Sequence, residues 1–168
     1  MTSRKEPIFA PREAFEQMLE YFVVPTFDLV IDVPDRGILL VRRKIAPYAG
    51  KWALPGLRMY KNEGIDDTLA RIAEQEAGIE VDLDNKKLIG QYVGRFKTEH
   101  ARQDLSTGYA VAALSSDVTL NDSHFSGSRF INTAEELPTA VGAMYRFYVE
   151  SYLDANQAGG STTDMFES

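Results

Sequence analysis

The stretch "WALPGLRMYKNEGIDDTLARIAEQEAGI", Trp52 to Ile79, reads as a proline- and glycine-punctuated loop running into a helix suited to holding a metal ion, yet it carries few carboxylates for that task. Elsewhere Asp28 stands in "FDLVIDV", a carboxylate among apolar neighbours on a strand, which needs a reason to be there. Arg42 and Arg43 close an apolar run, where cations are common. His124 lies in the polar loop "NDSHFSG", and His100 in "KTEHARQD", which reads as exposed. Cysteine is absent, so a metal would have to sit on carboxylate, imidazole, amide or carbonyl groups, and hard, oxygen-preferring cations follow.

The elements that must place these residues are legible from period and punctuation. "PREAFEQMLEYFVV" puts Phe15, Met18, Leu19 and Phe22 on one helical stripe, with Pro11 near its start. "PTFDLVIDVPDRGILLVRRK" reads as two strands joined at "PDRG", with Phe27, Leu29 and Ile31 on one face and Asp28 on the other. After a loop and a short extended piece, Leu57 to Tyr60, comes a helix with Asp66 or Asp67 as cap, Leu69, Ile72 and Ala73 as its apolar face, and Gly78 as its stop. "KKLIGQYVGRFK", "TGYAVAAL" and "SRFIN" read as strands, and "AMYRFYVESYLDA" as a closing helix with Met144, Phe147, Tyr148 and Tyr152 along one stripe. Tyr109 and Trp52 read as core. This order predicts an α/β fold whose mixed β-sheet is covered by helices on both faces.

The bulk numbers bound the whole. A chain of 168 residues, 44% hydrophobic and 26% charged, suits one domain, expected over residues 1–156, with the small polar residues 157–168 as a disordered tail. No apolar run approaches the roughly 20 residues that span a bilayer, and no secretory leader is evident at "MTSRKEPIF". A cytoplasmic protein without membrane attachment is the expectation. A net charge of -7 argues against broad nucleic-acid binding and leaves anionic small molecules open through local basic pockets.

The quoted stretch resembles the Nudix box, Gx5Ex7REUxEExGU with U aliphatic. Glu63, Arg71, Glu76 and Gly78 fall on its glutamate, arginine, last glutamate and glycine, while Leu57, Ile72 and Gln75 depart from it. The resemblance implies the Nudix fold, an α/β/α sandwich, a Glu63–Arg71 salt bridge bracing loop against helix, and Mg2+ or Mn2+ held against a diphosphate. The departures themselves resemble one branch, the GDP-mannose mannosyl hydrolases, whose segment GxWxxPGGRxxKxE is similar to "GKWALPGLRMYKNE". That branch places its catalytic aspartate, arginine and histidine where Asp28, Arg43 and His124 stand, although Ser123 replaces an amide ligand.

What this narrower resemblance implies is a magnesium-dependent hydrolysis of a nucleoside diphosphate sugar of the GDP-mannose or GDP-glucose type, with water attacking the anomeric carbon and inversion. Glu76 and the Gly56 carbonyl would ligate the metal, Arg43 and Arg58 would bind phosphate, His124 would be the general base, and Asp28 would orient water or sugar. A homodimer is expected from the N-terminal helix. Two alternatives stand beside this reading. One is an ordinary Nudix pyrophosphatase on ADP-ribose or a nucleotide, for which "PYAGKWALPG" speaks; the other is a non-catalytic nucleotide-sugar-binding domain, for which Ser123 and Leu57 speak.

Overall fold

In the segment "PTFDLVIDV" Phe27, Leu29, Ile31 and Val33 make one apolar face, while the other carries Thr26, Asp28 and Asp32 around Val30 and is covered as well, with Thr26, Asp28 and Val30 all buried. This segment forms β1 (Val24–Val33), in which Leu29, Val30 and Ile31 are fully buried. These and the following elements come from a computed structural model that describes residues 6–46, 48–154 and 161–166. A turn with Asp35 and Gly37 at positive φ returns the chain as β2 (Gly37–Arg43). The two strands pair only at Asp32–Ile38 and Val33–Gly37. Beyond that they part: β1 continues against β4 (Gly56–Arg58), whereas β2 takes β3 (Trp52–Ala53) on one side and β7 (Phe125–Ile131) on the other.

On its far side β1 runs parallel to β6 (Gln103–Ala113), which forms an antiparallel hairpin with β5 (Val81–Arg95). The result is one mixed sheet, in the order β3-β2-β1-β6-β5-β8, the last being Ser161–Phe166, with β4 and β7 attached to β1 and β2. Its last strand falls within the segment expected as a tail. Ser161–Phe166 forms β8, parallel to β5 from Gly90–Ser161 to Arg95–Phe166, because β5 otherwise offers an unpaired edge to a threonine-bearing segment. The remainder of that tail lies outside the described residues.

Among the described residues three α-helices complete the fold. Of α1 (Arg12–Tyr21), only Leu19 of the expected stripe is buried, and Phe22 falls beyond the helix and is exposed. In α2 (Ile65–Ala77) the cap is Gly64 rather than either aspartate, and Asp67 instead accepts a 2.9 Å hydrogen bond from the Gly64 amide. Gly78 ends α2 in the left-handed region, φ 61°, where a Cβ would stand 3.0 Å from Thr119. Helix α3 (Ala143–Leu153) buries Tyr145, Tyr148 and Val149. Its Tyr148 and Tyr152 reach Ser106 and Asp32, on the face of the sheet that carries Asp28. The sheet lies between helices, as the order of elements predicts.

Candidate active site

Asp28 is 5% exposed. Its Oδ2 accepts a 2.6 Å hydrogen bond from Ser106 Oγ, which lies 2.9 Å from Tyr148 OH. Two glycines make this cluster possible. A Cβ on Gly56 would come within 2.2 Å of Asp28 Oδ1 and 2.8 Å of the Phe27 carbonyl, and one on Gly108 within 2.6 Å of the Tyr148 ring. Burial pushes the Asp28 carboxyl up to about 7, against the opposing hydrogen bond from Ser106, with Asp104 adding to the rise and Arg43 resisting it.

Glu76 is fully buried near the end of α2, on the same stripe as Leu69, Ile72 and Ala73. Its partner comes from across the fold. His124 Nδ1 lies 2.8 Å from Oε1 and 3.0 Å from Oε2 of Glu76. The turn holding His124 is tied to α2 through Asn121, whose amide donates to the Glu76 carbonyl and whose own carbonyl accepts from the His124 amide. Burial raises the Glu76 carboxyl, with His124 and then Arg43 pulling the other way. Because Glu76 occupies Nδ1, the imidazole has Nε2 left for proton transfer, and its side chain keeps 32% exposure.

Glu63 and Arg71 meet in a forked ion pair, 2.7 Å from Nε to Oε2 and 2.9 Å from Nη2 to Oε1. Arg71 also donates to the Arg58 carbonyl at 2.7 Å, and its guanidinium lies 3.8 Å from the Tyr60 ring centroid. The start of α2 is thereby fastened to β4. Arg58 itself lies 4.1 Å from the ring centroid of Phe15, so α1 buttresses this cation.

A cavity of about 370 Å³ joins these pieces. Asp28, Arg43, Gly56, Arg58, Glu76 and His124, all singled out from sequence, line it together. Glu63, Arg71 and Gly78 shape its walls from outside. The strands β1 and β2 part here, which lets α2 contribute Glu76 and α3 contribute Tyr145 to one space. Sequence reasoning missed Ser106, Tyr148, Arg102 and Asp104. None has a local signal, and β6 begins at Gln103, ahead of the expected strand "TGYAVAAL".

The model of the NUDIX domain family matches residues 23–150 of this chain. The chain belongs to the Nudix family. The low-salt glycan biosynthesis protein Agl8 of Haloferax volcanii is 28% identical over 145 residues, covering 86% of this chain and 89% of the relative. A Nudix hydrolase from Nitrosomonas europaea has the same fold, with a TM-score of 0.68 at 19% identity over 88% of this chain and 81% of its own. So has the Nudix domain of Shewanella oneidensis NrtR, solved with ADP ribose, at a TM-score of 0.64 and 15% identity over 86% and 92%.

Within this Nudix helix the departures from the box have different physical meanings. Ile72 is fully buried in the core, whereas Gln75 is exposed, so the three positions Ile72, Gln75 and Glu76 do not share one face as their spacing first suggests. Gln75 is about 100° round the helix from Glu76. Leu57 sits in strand β4 without a positive φ, so the side chain costs no backbone strain there. Among the described residues no three His, Cys, Asp or Glu side chains converge on one point. One carboxylate does fit a single magnesium ion, which keeps most of its water and takes further oxygens from phosphates. The Gly56 carbonyl suits the same ion: Leu29 and Met59 make the β1–β4 ladder bonds with Pro55 and Pro25, and that parity leaves Gly56 turned away from β1.

Proposed function

We propose that this Nudix protein hydrolyses a nucleoside diphosphate sugar, of the GDP-mannose or GDP-glucose type, by attack of water on the anomeric carbon. The observation that carries the reading is the pairing of one buried carboxylate, Glu76, with the imidazole of His124 inside a cavity that Arg43 also lines. A single carboxylate turned into the cavity from α2 is poor equipment for gathering several cations around phosphorus, but a leaving nucleoside diphosphate needs only its growing charge offset. The Haloferax relative, named for glycan biosynthesis, favours a sugar-bearing substrate.

The roles follow from position. Glu76 holds the Nδ1 proton of His124, so Nε2 presents its lone pair and takes a proton from water. The water oxygen bonds to the anomeric carbon as the bond from that carbon to the diphosphate oxygen breaks, its electron pair leaving with the nucleotide. Displacement without a covalent intermediate inverts the sugar. Arg43, and Arg58 beside Phe15, bind the diphosphate, for which a guanidinium fork is matched. Asp28 orients water or a sugar hydroxyl from the cavity floor. Glu76 and the Gly56 carbonyl would hold Mg2+ or Mn2+, whose contribution is positive charge at the departing diphosphate.

Hydrolysis of GDP-mannose in water enriched in 18O tests this directly. The label should appear on the sugar, and His124→Ala should lower kcat by roughly 100- to 10,000-fold. Label on phosphate discards the glycosyl reading in favour of a Nudix pyrophosphatase acting on ADP-ribose or a nucleotide. Saturable binding without turnover, with or without magnesium, would leave a binding domain.

A further inference from the structure

Past Asp28 the cavity runs toward the β5–β6 turn, into a part that none of these roles uses. Its floor is Asp104 on β6, and opposite it in register on β5 is Gly94. Asp104, 15% exposed, accepts a 2.6 Å hydrogen bond from Nε of Arg102, which is 17% exposed and also pairs with Glu99 at 3.6 Å. Phe96 folds back over Gly94, so that a Cβ there would stand 3.3 Å from the ring. The ring of Tyr48 meets Phe96 edge-on, centroids 6.0 Å apart. Two aromatic rings and one anionic acceptor thus line the same end of the space.

Position and charge together narrow what fits there. Asp28 lies opposite Gly108 and Val24 opposite Asp104, so the two carboxylates are four residues apart along the ladder, roughly 13 Å of strand. That is the reach of a ligand whose diphosphate lies by Arg43 and whose far end lies by Phe96. The Arg102 bond leaves the carboxylate free lone pairs, since an ionised carboxylate offers about four. A neutral group with two neighbouring donors satisfies them, and a flat or C–H face packs on the rings.

We propose that Asp104, positioned by Arg102, is the acceptor of a second subsite that reads a neutral group bearing two adjacent hydrogen-bond donors against Phe96 and Tyr48. The proposal rests on the reading of the cavity as a nucleoside diphosphate sugar site. Three parts of such a substrate have that chemistry: the N1–H and N2–H2 edge of guanine, a vicinal diol of the departing sugar, and the 2′,3′-diol of the ribose. Adenine lacks it, because a ring nitrogen acceptor adjoins its amino group and would face the carboxylate unfavourably.

Calorimetric titration of the full chain and of Asp104→Asn with GDP, ADP, GDP-mannose and ADP-mannose tests this, the sugar nucleotides being measured in a His124→Ala background to suppress turnover. The asparagine keeps the size of the side chain but turns one acceptor into a donor. Affinity for the recognised group should fall roughly 10- to 100-fold. A loss confined to guanine nucleotides places the base in the subsite, a loss confined to the sugar-bearing pair places the diol of the departing sugar there, and an equal loss for all four places the ribose diol there. Phe96→Leu, which keeps Asp104, should weaken those same ligands while preserving the preference among them. Unchanged affinities in a folded Asp104→Asn protein, checked by its melting temperature, overturn the proposal, as does a wild-type protein that binds none of the four. Label on phosphate in the 18O experiment would overturn the hydrolytic reading and leave this binding result standing.

Discussion

Asp28 is held at Oδ2 by Ser106, which Tyr148 holds in turn, while Oδ1 fills the space that the missing Cβ of Gly56 leaves. Such a chain fixes the direction of the carboxylate more than it stabilises the fold. Tyr148→Phe, which deletes only the hydroxyl, should lower kcat by roughly tenfold with KM little changed. Steady-state kinetics of Tyr148→Phe, Ser106→Ala and the double variant check it. If Tyr148 acts through Ser106, the double variant is no worse than Ser106→Ala alone. Asp28 was legible in the sequence because a charge inside an apolar strand is anomalous wherever the strand lies. Its partners were not, since Ser106 and Tyr148 look ordinary until β6 and α3 are laid beside β1.

Helix α2 and the loop before it act as one element because the Glu63–Arg71 pair is almost dry, with side chains 5% and 11% exposed. Tyr60 and Thr68 also donate to Glu63, and together with Arg71 they hold its carboxyl below the usual range in spite of burial. Arg71→Ala would strand that charge, so a loss of about 3–5 kcal/mol in unfolding free energy is expected from chemical denaturation. The frame of this element is written locally in spacing, caps and the glycine stop, and was readable without a structure. The facing of its side chains was only partly so. Gln75 and Ile72 both replace box glutamates, yet one meets solvent and the other the core, and which does which depends on where the sheet lies.

At the scale of the whole molecule, one cavity holds Asp28, Glu76 and Asp104, and burial raises each carboxyl. For Asp28 the unfolded value is 3.8 and the folded value about 7, so the folded chain binds the proton more tightly. Its stabilising contribution is complete below pH 3.8 and is lost as pH rises through 7. Asp28→Asn should therefore match wild type near pH 4 and exceed it at pH 8 by at most roughly 4 kcal/mol. Urea unfolding across that range, with chelator present, measures the difference, and a constant gap at every pH would contradict it. The sequence by itself determined the class of sheet and the loop and helix of the box, because period, punctuation and residue type are local properties, whereas Asp28, Arg43, Glu76 and His124 enter as site residues through resemblance to the mannosyl hydrolase pattern. Only the tertiary structure decided that β1 and β2 part after two pairs, that His124 closes on Glu76, and that Arg102 and Asp104 share their cavity. Those contacts join residues far apart in the chain, and the packing that brings them together is set by the whole core rather than by any segment of it.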